Sequence, residues 1–121
     1  MEFGITKSFI QKNFLLENKT AENLYFNYAE SMPIIDYHNH LSPGFIAKNK
    51  PFSSINEVWL NGDHYKWRAM RSLGIEEKFI TGDKVSDKEK FDKWAYTVPY
   101  CVGNPLFHWT HLELERYFNI N

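Results

Sequence analysis

Asp36-Tyr37-His38-Asn39-His40 holds the side chains best suited to chemistry. Residues two apart on a strand point to the same face. His38 and His40 can therefore present two imidazoles to one point in space, with Asp36 on that face too. Neutral imidazole is a common ligand for divalent metals, and His-x-His supplies two from one rigid element. Zinc takes three or four protein ligands, so the pair alone is not a site. Two ordinary histidines at a strand end have the same spacing. The balance shifts towards chemistry because the apolar run Ile34-Ile35 precedes them and a turn follows His40. Active sites of parallel α/β folds sit at the carboxyl ends of strands, which is where these histidines fall.

A second group lies in Gly62-Asp63-His64-Tyr65-Lys66-Trp67-Arg68. On a helix, His64, Trp67, Arg68 and Arg71 share a face through three- and four-residue spacing. His64 and Tyr65 fall in the first turn, where helix N–H groups favour anions. A histidine, a phenol and two guanidinium groups could hold a carboxylated, hydroxyl-rich ligand, and an arginine fork suits the carboxylate. The competing reading is a solvated basic face with one core tryptophan. His108 and His111, three apart in His108-Trp109-Thr110-His111, could also meet a metal, but no nearby acid or thiol joins them. Ordinary structural histidines explain that pair. Trp59 and Trp94 fit helical core positions. The sequence contains no glycine-rich phosphate loop, no Cys-x-x-Cys pair and no nucleophile elbow.

The elements that must position these groups are mostly helical. Met1 to Lys19 is a mixed lead-in of poor periodicity. Thr20 is a candidate N-cap for a first helix carrying Ala21, Leu24, Tyr25, Tyr28 and Ala29 on one stripe, closed by Pro33. Ile34 to Tyr37 is the one convincing strand, and Leu41-Ser42-Pro43-Gly44 is a loop. Phe45 to Lys50 gives one or two helical turns before Pro51. Ser54 with Glu57, and Ser86 with Glu89, read as capping boxes. Gly62 suits a left-handed helix end, and Asp63 suits the N-cap of a helix from His64 to Leu73, ended by Gly74. Ile75 to Ile80 is a short helical segment. Phe91, Trp94, Ala95 and Val98 line one face up to Pro99, and Asn104-Pro105 opens a last helix to about Phe118.

That inventory leaves one strand without a partner. Buried, unpaired backbone groups are costly, and an apolar strand between helices is usually one member of a parallel sheet. The expectation is the beginning of a larger protein, cut after the last helix. The length of 121 residues otherwise fits one domain, and 43% hydrophobic with 17% aromatic residues is ample for a core. Fourteen Lys and Arg against 15 Asp and Glu, a net charge of -1, point to neither nucleic acid nor an anionic membrane surface. No apolar run approaches the roughly 18 to 20 residues of a membrane span, and Met1 to Asn13 has no signal-peptide pattern. The single cysteine, Cys101, excludes an internal disulfide and reads as a small buried hydrophobe. A soluble, cytoplasmic protein is expected.

Several stretches in one order carry a family resemblance. They are Met32 to Pro43, Trp59 to Arg71, Thr81-Gly82-Asp83, Lys93-Trp94-Ala95, Thr97-Val98-Pro99 and Gly103 to Leu114. From about Phe14 onward the chain resembles the N-terminal portion of uronate isomerases, divergent members of the amidohydrolase superfamily. The resemblance implies a mostly α piece with one short β-strand, the N-terminal fragment of a (β/α)8 barrel with helical insertions. Residues 1–121 would be an incomplete domain: a first helix, a first barrel strand at about 33–38 and a helical insertion over about 45–118. It implies His38 and His40 as ligands of a divalent metal, zinc, on which family members need not depend equally. It implies that His64 and Tyr65 face a hexuronate substrate; the chemistry of the implied reaction then assigns them to hydroxyl or carbonyl contact and proton movement, with Arg68 as at most a support. The implied reaction interconverts D-glucuronate and D-fructuronate, and D-galacturonate and D-tagaturonate, in a full-length enzyme that could be a homo-oligomer. The 121 residues alone are expected to be inactive. The competing expectation, from another class, is a stand-alone helical module that binds a metal or a partner protein without catalysis.

Overall fold

Most α-helices in this chain begin where a short polar side chain takes up free N–H groups of the first turn. A computed structural model describes residues 8–120; Met1 to Lys7, the start of the lead-in, lie outside the described residues, as does Asn121. The elements are α1 (Lys19–Leu24), continued by a π-helical turn (Tyr25–Ala29), α2 (Pro43–Lys48), α3 (Ile55–Trp59), α4 (His64–Ser72), α5 (Asp87–Thr97) and α6 (Pro105–Phe118). Two 3-10 turns, Glu77–Phe79 and Val98–Cys101, flank α5 in sequence. The chain is mostly helical, as the sequence indicates.

The predicted strand at 33–38 is not formed. Among the described residues there is no strand, and residues 33–39 have no regular secondary structure. The reason is physical: a strand exists through a ladder to its neighbours, and no neighbouring strand is present among the described residues. Ile34, Ile35 and Tyr37 are 92%, 87% and 97% exposed.

The described residues divide into two units. One comprises the chain up to Tyr37 together with the residues from His111 on. Here α1 is capped by Asn18, whose side chain accepts from the Ala21 N–H at 2.9 Å, two residues before the expected Thr20 cap. Asn13 Nδ2 donates to Glu22 Oε1 at 3.1 Å, and Lys12 Nζ sits 5.1 Å from the centre of the Phe26 ring. Phe9 meets Phe14 and His111 edge-on at 5.5 and 5.1 Å. The stripe expected on the first helix is largely uncovered, with Leu24, Tyr25 and Tyr28 exposed.

The other unit, His38–Thr110, carries most of the buried apolar side chains. Trp59, Leu60, Met70, Ile80, Trp94, Cys101 and Leu106 are its buried hydrophobic residues, and Met70 and Trp94 are wholly enclosed. α3 and α4 both pack on α5. Asp87, at the start of α5, accepts from the hydroxyl of Ser54 and, at 3.1 Å, from the amide nitrogen of Asn56, tying α3 to α5. Ser86 and Glu89 form the complete capping box that their spacing predicts. Ser54 forms only half of its own: it accepts from Glu57 N–H, while the Glu57 carboxylate turns to Ser53 N–H and Oγ, both at 2.6 Å.

Gly82 closes the turn after the 3-10 segment so tightly that a Cβ there would lie 2.5 Å from the Lys78 carbonyl oxygen. The Cys101 thiol is buried and points at the Thr97 carbonyl oxygen, 3.6 Å away, and burial pushes its pKa above the usual thiol value.

Candidate functional site

The site is built outward from Asp63. Gly62 turns the chain at φ +82°, a left-handed conformation that a residue without Cβ adopts cheaply. Asp63 follows as the N-cap of α4: its Oδ1 accepts from Tyr65 N–H at 2.9 Å and Lys66 N–H at 3.0 Å. The other oxygen, Oδ2, lies 3.1 Å from Lys66 Nζ. One carboxylate thus fixes the first turn of α4 twice, and that turn carries His64 and Tyr65.

His40 reaches this turn from the segment before α2. The turn after His40 is set by Asn39, whose side-chain oxygen accepts from Leu41 N–H at 2.8 Å. The His40 ring is 6.0 Å from that of His64 and lies nearly parallel to Tyr65, at 5° and 6.4 Å. The His38 ring is 5.3 Å from that of His40 and nearly perpendicular to it. His64 is held in turn by the edge of Trp67 at 5.0 Å. The structure therefore brings His38, His40, His64 and Tyr65 together, all within the His38–Thr110 unit. Asp36, expected on the same face, falls in the other unit.

The spacing of the His38 and His40 rings bears on metal binding. Zinc–imidazole bonds of about 2.0–2.1 Å in a tetrahedral arrangement put two ligand ring centres about 5 Å apart, close to the observed 5.3 Å. That spacing is equally the one of an edge-to-face contact between two rings. Among the described residues, no group of three or more His, Cys, Asp or Glu could hold a metal ion.

Arg68 lies one turn further along α4, its guanidinium carbon 4.8 Å from the centre of the Tyr65 ring. Among the described residues it has no ion-pair partner. It lines, with Tyr65, Ser72, Asn104, Leu106 and Trp109, an open groove of about 370 Å3. Arg71, which the spacing put on the same face, is engaged elsewhere. Its Nε and Nη2 donate to Glu77 Oε2 and Oε1 at 2.8 and 2.5 Å. Those bonds, followed by one from the Thr81 hydroxyl, hold the Glu77 carboxyl down to about 2.

His108 contacts the Phe107 ring at 6.4 Å, and His111 and Phe9, which contact each other, both belong to the other unit. The residue that sequence reasoning missed is Lys66. It is buried, with its ammonium 5.7 Å from the Trp59 ring centre and 5.8 Å from that of Trp94. The available signal was its three-residue spacing from the capping Asp63.

A family model described as glucuronate isomerase matches residues 6–121. The uronate isomerase of Shouchella clausii is 66% identical over 115 residues, covering 95% of this chain and 24% of the relative. Those of Flavobacterium johnsoniae and Geobacillus stearothermophilus are 67% and 65% identical over 113 residues, each covering 93% of this chain and 24% of the relative. The chain spans about a quarter of the length of the curated relatives it matches. With a match that takes in nearly all of its residues, the chain belongs to the glucuronate isomerase family.

Proposed function

We propose that this chain forms one wall of a uronate isomerase active site, acting on D-glucuronate and D-galacturonate to give D-fructuronate and D-tagaturonate. The observation that carries the reading is the meeting of His38, His40, His64 and Tyr65 in one unit. Family membership and the names of the relatives support the reaction. Residues 33–38 would become the first strand of a (β/α)8 barrel by pairing with strands from the remaining three-quarters of a full-length enzyme. The exposure of Ile34 and Ile35 supports that role, since two large β-branched side chains in water are waiting surface for a sheet. A homo-oligomeric, cytoplasmic enzyme belongs to the same proposal; Cys101, a lone buried thiol, suits a reducing compartment.

Aldose–ketose isomerisation moves a proton from C2 to C1 of the open-chain sugar and another from the C2 hydroxyl to the C1 oxygen. Nothing is oxidised overall. The step needs an acid–base group near neutral pKa and donors to the oxygen on which charge develops. His38 and His40 would hold the divalent metal, zinc, which supplies Lewis-acid stabilisation of a developing oxyanion. His64 and Tyr65 would contact the substrate's hydroxyl or carbonyl oxygens and take part in moving the protons from C2 to C1 and from the C2 hydroxyl to the C1 oxygen. Arg68, stacked on Tyr65, would support the phenol and add positive charge at the groove.

The test is a chimera in which this chain replaces the corresponding segment of the Shouchella clausii enzyme. The chimera is expected to isomerise both uronates, and the 121-residue chain alone to be inactive. Joint replacement of His38 and His40 by Ala should strip its metal. An inactive but folded chimera would overturn the reading, and unchanged metal content would remove the ligand assignment. Metal or protein binding by the short chain with no activity in the chimera would favour a non-catalytic module.

A further inference from the structure

We infer that Lys66 is a positioning residue for the site, a role that rests on the assignment of His64 and Tyr65 to the substrate. The residue is at odds with its surroundings. An ammonium group is almost never buried unless paired, yet Lys66 is only 9% exposed. Its charge is met by Asp63 Oδ2 at 3.1 Å and by the faces of Trp59 and Trp94 at 5.7 and 5.8 Å. Trp94 is wholly buried and Trp59 nearly so, so both rings are fixed walls. The Asp63 carboxylate that pairs with the ammonium is the one that caps Tyr65 and Lys66 N–H.

The consequence is a chain of constraint with few soft links. The tryptophans of α3 and α5 hold the ammonium, the ammonium holds Asp63, and Asp63 holds the turn bearing His64 and Tyr65. A helix first turn is ordinarily the part that frays. Here it is tied through Asp63 and Lys66 to the interior of the unit. Removal of the charge cuts the tie between the Asp63 carboxylate and the buried tryptophans, so the capped first turn can shift as a unit and the two rings lose their fixed bearing on His40. Catalysis depends steeply on such placement: an error of 1 Å can cost about a hundredfold in rate.

The experiment uses the full-length chimera and two variants. Lys66→Met keeps the bulk of the side chain and removes the charge. Asp63→Asn retains a good N-cap and removes the ion pair. Each is expected to lower kcat for D-glucuronate by about ten- to a hundredfold while KM moves less than threefold and metal content stays at the parent level. Lys66→Arg, which keeps a cation between two aromatic faces, should recover part of the loss. Circular dichroism and the fraction of soluble enzyme report folding separately. Should Lys66→Met fail to fold, Asp63→Asn decides. A folded variant whose kcat stays within twofold of the parent overturns the inference, as does a loss that appears only in folded yield. Failure of the underlying functional reading looks different: the parent chimera is then already inactive. In that case the distance between the Tyr65 and His40 rings, followed by nuclear Overhauser contacts in the parent and Lys66→Met proteins, decides the positioning role. Loss of those contacts supports it and their persistence overturns it.

Discussion

The segment Ile34–Tyr37 and the Lys66–Trp94 neighbourhood invert the usual relation between polarity and burial. In the first, two isoleucines and a tyrosine stand about nine-tenths exposed; in the second, a lysine is buried between two tryptophans. The difference lies in partners. Lys66 finds its counter-charge three residues away and its aromatic walls on neighbouring helices, all inside one unit. Ile34 and Ile35 carry the pattern of a sheet strand, and a sheet is made by segments distant in sequence. Burial therefore follows the availability of a complementary surface more closely than it follows residue type.

The largest expected effect sets those regions against each other directly. Trp94→Ala empties a wholly enclosed site and should cost about 3–5 kcal/mol, a large part of the stability of a small domain. The variant should lose its cooperative urea transition. Ile35→Ala should move the transition by less than about 0.5 kcal/mol, because its side chain is 87% exposed. Equal shifts for the two would erase the contrast.

A smaller effect sharpens it. Gly82→Ala places a methyl group 2.5 Å from the Lys78 carbonyl oxygen. Overpacking of that kind costs about 1–3 kcal/mol, so the urea midpoint should fall, though by less than for Trp94→Ala. An unchanged midpoint would mean that the turn at Gly82 is looser than described.

The smallest effect is electrostatic and lies at the surface. The Arg71 hydrogen bonds, then the Thr81 hydroxyl, hold Glu77 at about 2 against an ordinary 4.5. A lowered carboxylate stabilises the fold fully above its unfolded value and loses that contribution as pH falls through its folded value. The contribution is thus whole above about pH 4.5 and fades as the pH drops towards 2. A carboxyl-carbon titration by NMR should place the Glu77 midpoint near 2, and Arg71→Gln should move it back towards 4.5. Since the pair is exposed and screened, the accompanying change in stability should be slight.

Much of this structure was legible because it is local. Asp63, Ser86 and Asn104 cap helices where their spacing says they should, since a cap is an agreement among four adjacent residues. Pro105–Phe118 is a helix with the predicted ends. Where two short polar side chains compete, locality no longer decides: Asn18 takes the cap expected of Thr20, and Ser53 takes the carboxylate expected to close the box at Ser54. The closeness of the His38 and His40 rings does not follow from the two-residue spacing argument, because the strand that was to present them is absent among the described residues. The approach of His64 and Tyr65 to His40 could not be read from spacing, because it depends on how α4 packs. Lys66 was hidden for the same reason, since its aromatic walls lie on α3 and α5.

Cys101 gives the chain a built-in clock. It is the only sulfhydryl in the sequence, it is shut away in the unit that carries the candidate site, and its reluctance to ionise keeps it dormant while that unit is closed. A thiol-selective dye added in excess can therefore colour only those molecules that have come apart there. The pace of colouring counts those openings one by one, in a protein that needs no introduced label.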